Sequence, residues 1–343
     1  MKIIHSTILI SLLSLCANAN PQIGDVAYTP TKNKTLAVTY TFDKKDSHID
    51  DAFYEFTKKD LEKIGLNLND PHHNVNTVYE QKFGKTYLDT LSFNSLIAEE
   101  LIRPMLNIDP RMGAFTPFNL HYYRTKQDMQ TVIAHLTPEA MLDILEITDE
   151  NIRSKFIASF PALDKEIESK FPKGKKGTVK IEGYAEDTMM NFEIPFEEQE
   201  DVDDFLDEFQ EEFEAVFENA GYIIAGYYNL KDSFNSEEDI LEQYTMFWSY
   251  DLCHIPFSYE VFDGPNALPM AGIFAPCSVY MYVKEGENKI VFGMPTLAAW
   301  GAAFGVTDKH QNAKMEFLDK EITKLMLSLG AVEVPNGNPL LRK

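Results

Sequence analysis

The clearest periodicity in the chain runs from Val202 to Phe217. Val202, Phe205, Leu206, Phe209, Phe213, Val216 and Phe217 recur there at steps of three and four, the spacing that keeps one face of an α-helix apolar. Alternation at every second position marks strands instead. Thr35 to Thr41 alternates Leu36, Val38 and Tyr40, and Thr178 to Tyr184 alternates Val179 and Ile181. Gly221 to Tyr228 and Glu242 to Tyr250 read as further strands, with Gly65 to Leu68 and Lys85 to Phe93 as earlier counterparts. A short helix over His254 to Phe262, a strand over Cys277 to Lys284, a turn at Glu285 to Asn288 and a strand over Lys289 to Phe292 follow. Helices at Thr296 to Phe304 and Asp308 to Leu329 complete the pattern; the last has Met315, Leu318, Ile322, Leu325 and Leu329 as its apolar stripe, matched earlier by Phe156, Phe160, Leu163 and Ile167. Strands joined by tight turns beside amphipathic helices predict an α+β fold, an antiparallel-rich sheet with helices on one face.

The same pattern occurs twice. Phe115-Thr116-Pro117-Phe118, leading into Leu120 and Tyr122, returns 159 residues later as Phe274-Ala275-Pro276-Cys277, leading into Val279 and Met281. Ile49-Asp50-Asp51-Ala52-Phe53 is answered by Val202-Asp203-Asp204-Phe205, and Thr148-Asp149 by Thr307-Asp308. Two tandem copies of one small domain are expected, 20–172 and 178–343, joined at the Pro, Gly and Lys stretch 173–177. The first copy is the more diverged.

Residues 1–19 read as a secretory signal: Lys2 is followed by an apolar run from Ile8 to Leu15 and by Ala17-Asn18-Ala19, so cleavage is expected between Ala19 and Asn20. The run is about half the ~20 residues needed to span a membrane, so no membrane insertion is expected after cleavage. A lipoprotein attached through Cys16 is the lesser alternative, because Leu15 occupies the place of the small residue that usually precedes a lipidated cysteine. The expected location is periplasmic or secreted. With 31 Lys and Arg against 54 Asp and Glu, the chain carries −23, and twelve of the acids lie between Glu197 and Glu218 with no Lys or Arg among them. Such a surface does not bind nucleic acid, which demands clustered cations. Acids spaced around a helix read as a solvated face.

Cys253-His254-Ile255, then Asp263-Gly264-Pro265, then Pro276-Cys277 entering Val279-Tyr-Met-Tyr-Val-Lys-Glu resembles the domain of unknown function 302 family. The first half resembles it through Phe93-Asn94-Ser95, Asp109-Pro110 and Thr116-Pro117-Phe118, so the resemblance runs from about Thr35 to Gly330. It implies a compact α+β domain that pairs with a second copy, here an intramolecular pseudo-dimer, and no established activity. His254-Ile255 stands where the family has Asn-Pro, and Ser278 where it has Arg.

Cys253 and Cys277 are the only cysteines after the signal, and Phe93 and Phe118 are expected in their places in the first half. Three readings stay open for the pair. A structural disulfide would stabilise an exported protein by about 3 kcal/mol; buried free thiols would fill core volume; and Cys253, Cys277 and His254 would together supply a soft ligand set for thiol or metal redox chemistry. His72 and His73 beside Asp70 are weak metal candidates in a loop whose composition turn chemistry already explains. Trp248 and Trp300 offer aromatic walls for a cleft between the copies, with core packing the plainer reading. No nucleophile elbow, phosphate loop or haem attachment step occurs, so no catalytic residues and no cofactor are expected. The expectation is a non-enzymatic exported protein that binds a small ligand or an envelope protein across the interface of its repeats, with a thiol- or metal-dependent redox protein as the alternative.

Overall fold

The computed structural model describes residues 35–43, 47–127, 129–232 and 241–334. The signal segment, its cleavage site at Ala19 and Asn20, and Cys16 lie outside them. The described chain forms two antiparallel sheets, each flanked by helices, and is an α+β protein as the periodicity implies.

The first unit runs β1 (Thr35–Phe42), α1 (Ser47–Glu55, prolonged by a π turn and a 3₁₀ turn to Ile64), β2 (Asn67–His72), α2 (Val75–Phe83), β3 (Leu88–Ile97) and α3 (Glu99–Leu106). A 3₁₀ turn at Pro110–Phe115 leads into β4 (Phe118–Asn119), β5 (His121–Thr125) and β6 (Thr131–Leu136). These are followed by α4 (Pro138–Ile144), α5 (Glu150–Ser159), α6 (Leu163–Lys170) and β7 (Lys175–Lys180). Its strand order is β2-β3-β5-β6-β1-β7, with β4 also on β3. The second unit runs β8 (Met189–Pro195), α7 (Val202–Asn219), β9 (Ile223–Asn229), β10 (Tyr244–Cys253) and α8 (Ile255–Phe262). After a 3₁₀ turn at Pro269–Phe274 come β11 (Cys277–Lys284), β12 (Lys289–Pro295), α9 (Leu297–Phe304), α10 (Lys309–Ser328) and β13 (Val332–Glu333). Its order is β9-β10-β11-β12-β8-β13, the same path as the first sheet.

Helices cover one face of each sheet. The Asp201 carboxylate accepts from the backbone N–H groups of Asp203 and Asp204 and caps α7, whose buried Leu206, Phe209, Phe213 and Phe217 lie against the sheet. Phe213 packs on Tyr250 of β10 at 5.1 Å and Phe292 of β12 at 6.2 Å. In the first unit Phe53 of α1 stacks on Tyr122 of β5 at 4.3 Å.

The opposite face of each sheet is covered by the other unit. The turn Pro110–Phe115 lies on β11 and β12, where Gly113 is so close that a Cβ would come within 2.7 Å of Tyr280. The turn Pro269–Phe274 lies on β4, β5 and β6, where a Cβ on Gly272 would overlap the His121 ring. Both contacts need glycine, and they are reciprocal: Gly113 and Gly272, like His121 and Tyr280, stand 159 residues apart.

Two boundaries differ from expectation. Residues 173–177 are not a free linker, because Lys175–Lys180 is β7, paired antiparallel with β1 at the edge of the first sheet. The strand expected from Thr178 therefore belongs to the first sheet and stops at Lys180, and the strand standing where β1 stands is Met189–Pro195. Likewise Phe156 and Leu163 lie on separate helices, α5 and α6, divided at Phe160-Pro161, since proline cannot donate into a continuing helix.

Candidate functional site

A cavity of about 210 Å³ opens where the two units meet, beyond the ends of β10 and β11. From the first unit His72, Val75, Val78 and Phe93 line it; from the second come Cys253, His254, Ser258, Phe262, Cys277 and Trp300, among other apolar side chains. Its rim carries two exposed apolar residues, Val78 and Ile223. The edges of the sheets are tied beside it, the His72 Nε2 standing 2.6 Å from the Ala225 carbonyl. Cys253, Cys277, His254, Phe93 and His72 are thus brought to one place.

Cys253 and Cys277 are both free thiols. In the ladder Cys277 stands opposite Leu252, and Cys253 is the next residue along; the two thiols line the same cavity and Cys253 lies near enough to act on Cys277. Of the three readings, the disulfide is not the one found, since both thiols are free. Cys253 lies near Tyr79 and Ser258, and Cys277 near Tyr222. Burial pushes the Cys253 thiol up to about 11 and the Cys277 thiol well above its ordinary value. Both are protonated at neutral pH and poor as nucleophiles or metal ligands. His254 caps α8, its Nδ1 accepting from the Phe257 N–H at 3.2 Å, and burial and the Lys314 ammonium hold it below the usual histidine range. A capping acceptor is a neutral imidazole already committed to the backbone.

The other candidates disperse. His73 packs against Tyr54 at 4.1 Å and does not line the cavity, and burial, with His72 beside it, lowers its pKa. Among the described residues no three His, Cys, Asp or Glu side chains form a group able to hold a metal ion. Trp248 is buried beside Tyr227 at 6.1 Å and does not reach the cavity. Trp300 does: its ring stacks on Phe274 at 5.0 Å, and its indole N–H is buried with no acceptor.

Register also corrects one counterpart. Phe118 pairs with Leu96 as Cys277 pairs with Leu252, so Phe118 and Cys277 do correspond, but the residue at the place of Cys253 is Ile97, not Phe93. Phe118 and Ile97 are buried, Phe118 packing on Phe160 at 5.4 Å. Bulky side chains thus fill in the first unit what thiols leave open in the second, while Phe93 crosses to line the second unit's cavity.

Next to the site lies a buried carboxyl not singled out from sequence. Asp251 accepts from Ser278 Oγ at 2.8 Å and, across the interface, from Ser95 Oγ at 3.1 Å. Ser95 and Asp251 occupy equal register positions, so the two units meet through equivalent residues. Burial raises Asp251 to about 6 against the hydrogen bonds of both serines. In the sequence it is one acid among 54, with nothing local to mark it.

No helix among the described residues is long and apolar enough to cross a membrane. No family model matches the chain, and no curated protein matches it. Among solved structures, an uncharacterized conserved protein of the domain of unknown function 302 family from Bacillus stearothermophilus aligns at 13% identity. The alignment covers 42% of this chain and 95% of that one, with a TM-score of 0.28. Likeness at that level carries no argument about fold or activity; a structural neighbour of the chain comes from the family that its motifs resemble.

Proposed function

We propose that the chain is an exported, periplasmic or secreted tandem of two units of the domain of unknown function 302 type, and that it binds a small, mainly apolar molecule between them. The repeat is supported by the equal strand order and the reciprocal glycine contacts. One observation carries the binding reading: the cavity is walled by both units, open at an apolar rim, and supplied with a buried unsatisfied donor, Trp300 Nε1. At about 210 Å³ it is smaller than the roughly 300 Å³ at which drug-sized sites begin. The ligand class is therefore a compact, mainly apolar molecule that carries a hydrogen-bond acceptor.

Titration calorimetry with acetophenone as probe, beside ethylbenzene, tests this. Cys277→Phe, which installs the side chain of the first unit, is expected to abolish both interactions. Trp300→Phe removes only the donor and is expected to weaken acetophenone about ten-fold, one net hydrogen bond, while sparing ethylbenzene. No binding of either probe, or equal loss of both in Trp300→Phe with the fold intact by circular dichroism, sinks the reading.

A further inference from the structure

A second cleft, of about 190 Å³, lies where the turn after α3 meets the second sheet. We propose that it is a separate binding site for a small carboxylate. Its floor is Tyr280 and Tyr282, whose rings lie parallel at 6.2 Å, and Tyr244 closes one side, anchored by its hydroxyl donating to the Leu106 carbonyl at 2.7 Å. Tyr280 is seated flat on Gly293, where any Cβ would collide with its ring, and its hydroxyl donates to Asn191 Oδ1 at 3.1 Å. That bond occupies the oxygen of the Asn191 amide and leaves its Nδ2 group buried without an acceptor; the residue is 3% exposed. A buried donor left unmade is costly and rare in native proteins, and this one lines a cleft rather than packed core.

Two more donors line the same cleft. The Tyr282 hydroxyl and the Lys284 ammonium have no partner among the described residues. The carboxylates on the walls are neutralised: Asp109 by the buried Arg111 at 2.6 Å, and Glu193 by Lys289 at 2.9 Å. What remains unanswered is one positive charge and two neutral donors, the complement of a carboxylate with its several acceptor sites. The first sheet has no such site, since Thr39 and Thr125 stand at the register positions of Asn191 and Lys284.

Benzoate is the probe, with isosteric benzamide as its neutral twin, titrated into the full chain and followed by calorimetry and saturation-transfer NMR. Benzoate is expected to bind about ten-fold more tightly than benzamide, the effect of one charge-assisted hydrogen bond. Tyr282→Phe and Lys284→Gln, which alter the two partnerless groups, are each expected to weaken benzoate about ten-fold. Cys277→Phe, in the other cavity, is expected to leave benzoate affinity unchanged, so this site can fail or stand without the first. Absence of benzoate binding, equal affinity for benzamide, or wild-type affinity in the Tyr282→Phe, Lys284→Gln double variant overturns the proposal.

Discussion

Asp251 shows how one residue at the join between the units sets a pH dependence. Its carboxyl is fully buried and held near 6, above its ordinary value of 3.8, because the interface cannot solvate the charge. The folded protein therefore holds a proton there between those values that the unfolded chain releases. The sign follows from linkage: this contribution to stability is fully present below about pH 4 and is lost as pH rises through about 6. His121, buried against the Pro269 carbonyl and lowered to about 4, acts the opposite way, its stability present above 6.5 and lost as pH falls. The two partly cancel in wild type, so a difference measurement is needed. Asp251→Asn keeps a side chain able to bond both serines and is expected to gain on wild type as pH rises, by about 3 kcal/mol at pH 8. Urea unfolding of both proteins at pH 4.5 and pH 8 decides it; the same difference at both values means that Asp251 carries no buried charge.

At the scale of elements, α7 is held by its aromatic stripe and not by its acids. Phe213 is fully buried, with Phe217 at 4.7 Å and Tyr250 at 5.1 Å. Phe213→Ala leaves a cavity between helix and sheet and is expected to cost about 3–5 kcal/mol. Glu211→Gln, on the solvent face, is expected to change stability by under about 0.5 kcal/mol. Chemical denaturation of the two variants measures this, and a Phe213→Ala cost below about 1 kcal/mol shows that the helix is docked otherwise. This helix was legible because a period of three and four residues over sixteen positions admits no other element, and β11, Cys277–Lys284, because a short run of β-formers, Val279 to Val283, is bounded by a proline and a turn. β7 was misread for a physical reason. Alternation in Thr178-Val179-Lys180 shows that a strand forms but not which sheet accepts it, and that depends on the free edge of β1 far away in sequence. The cysteine pair misled similarly: both reach the cavity, but register makes Ile97, not Phe93, the counterpart of Cys253. Trp300 was visible as an aromatic, yet its unsatisfied N–H exists only once Phe274 and the cavity wall surround it.

For the whole molecule, the decisive feature is that neither sheet covers its own second face. Without the turn Pro110–Phe115 the second sheet would present Phe247 and Tyr280 to water, and without the turn Pro269–Phe274 the first would present His121. Buried polar links cross the same surface: Asn119 Nδ2 to the Gly272 carbonyl at 2.7 Å, Ser278 Oγ to the Pro117 carbonyl at 3.2 Å and the Tyr87 N–H to Asp263 Oδ1 at 2.6 Å. Separating the units breaks these bonds and exposes apolar area on both, so partial unfolding is penalised twice. The described chain is therefore expected to melt as one cooperative body despite containing two sheets. Scanning calorimetry checks this through the ratio of calorimetric to van't Hoff enthalpy, which equals one for a single all-or-none transition and approaches two for two independent halves of similar size. Asp251→Asn leaves the turn contacts in place and should keep the ratio near one. Gly272→Val, which forces the second unit's turn off the His121 ring, should split the transition. A wild-type ratio near two would mean that the units fold alone, and both clefts between them would then lack the fixed walls that the two binding proposals require.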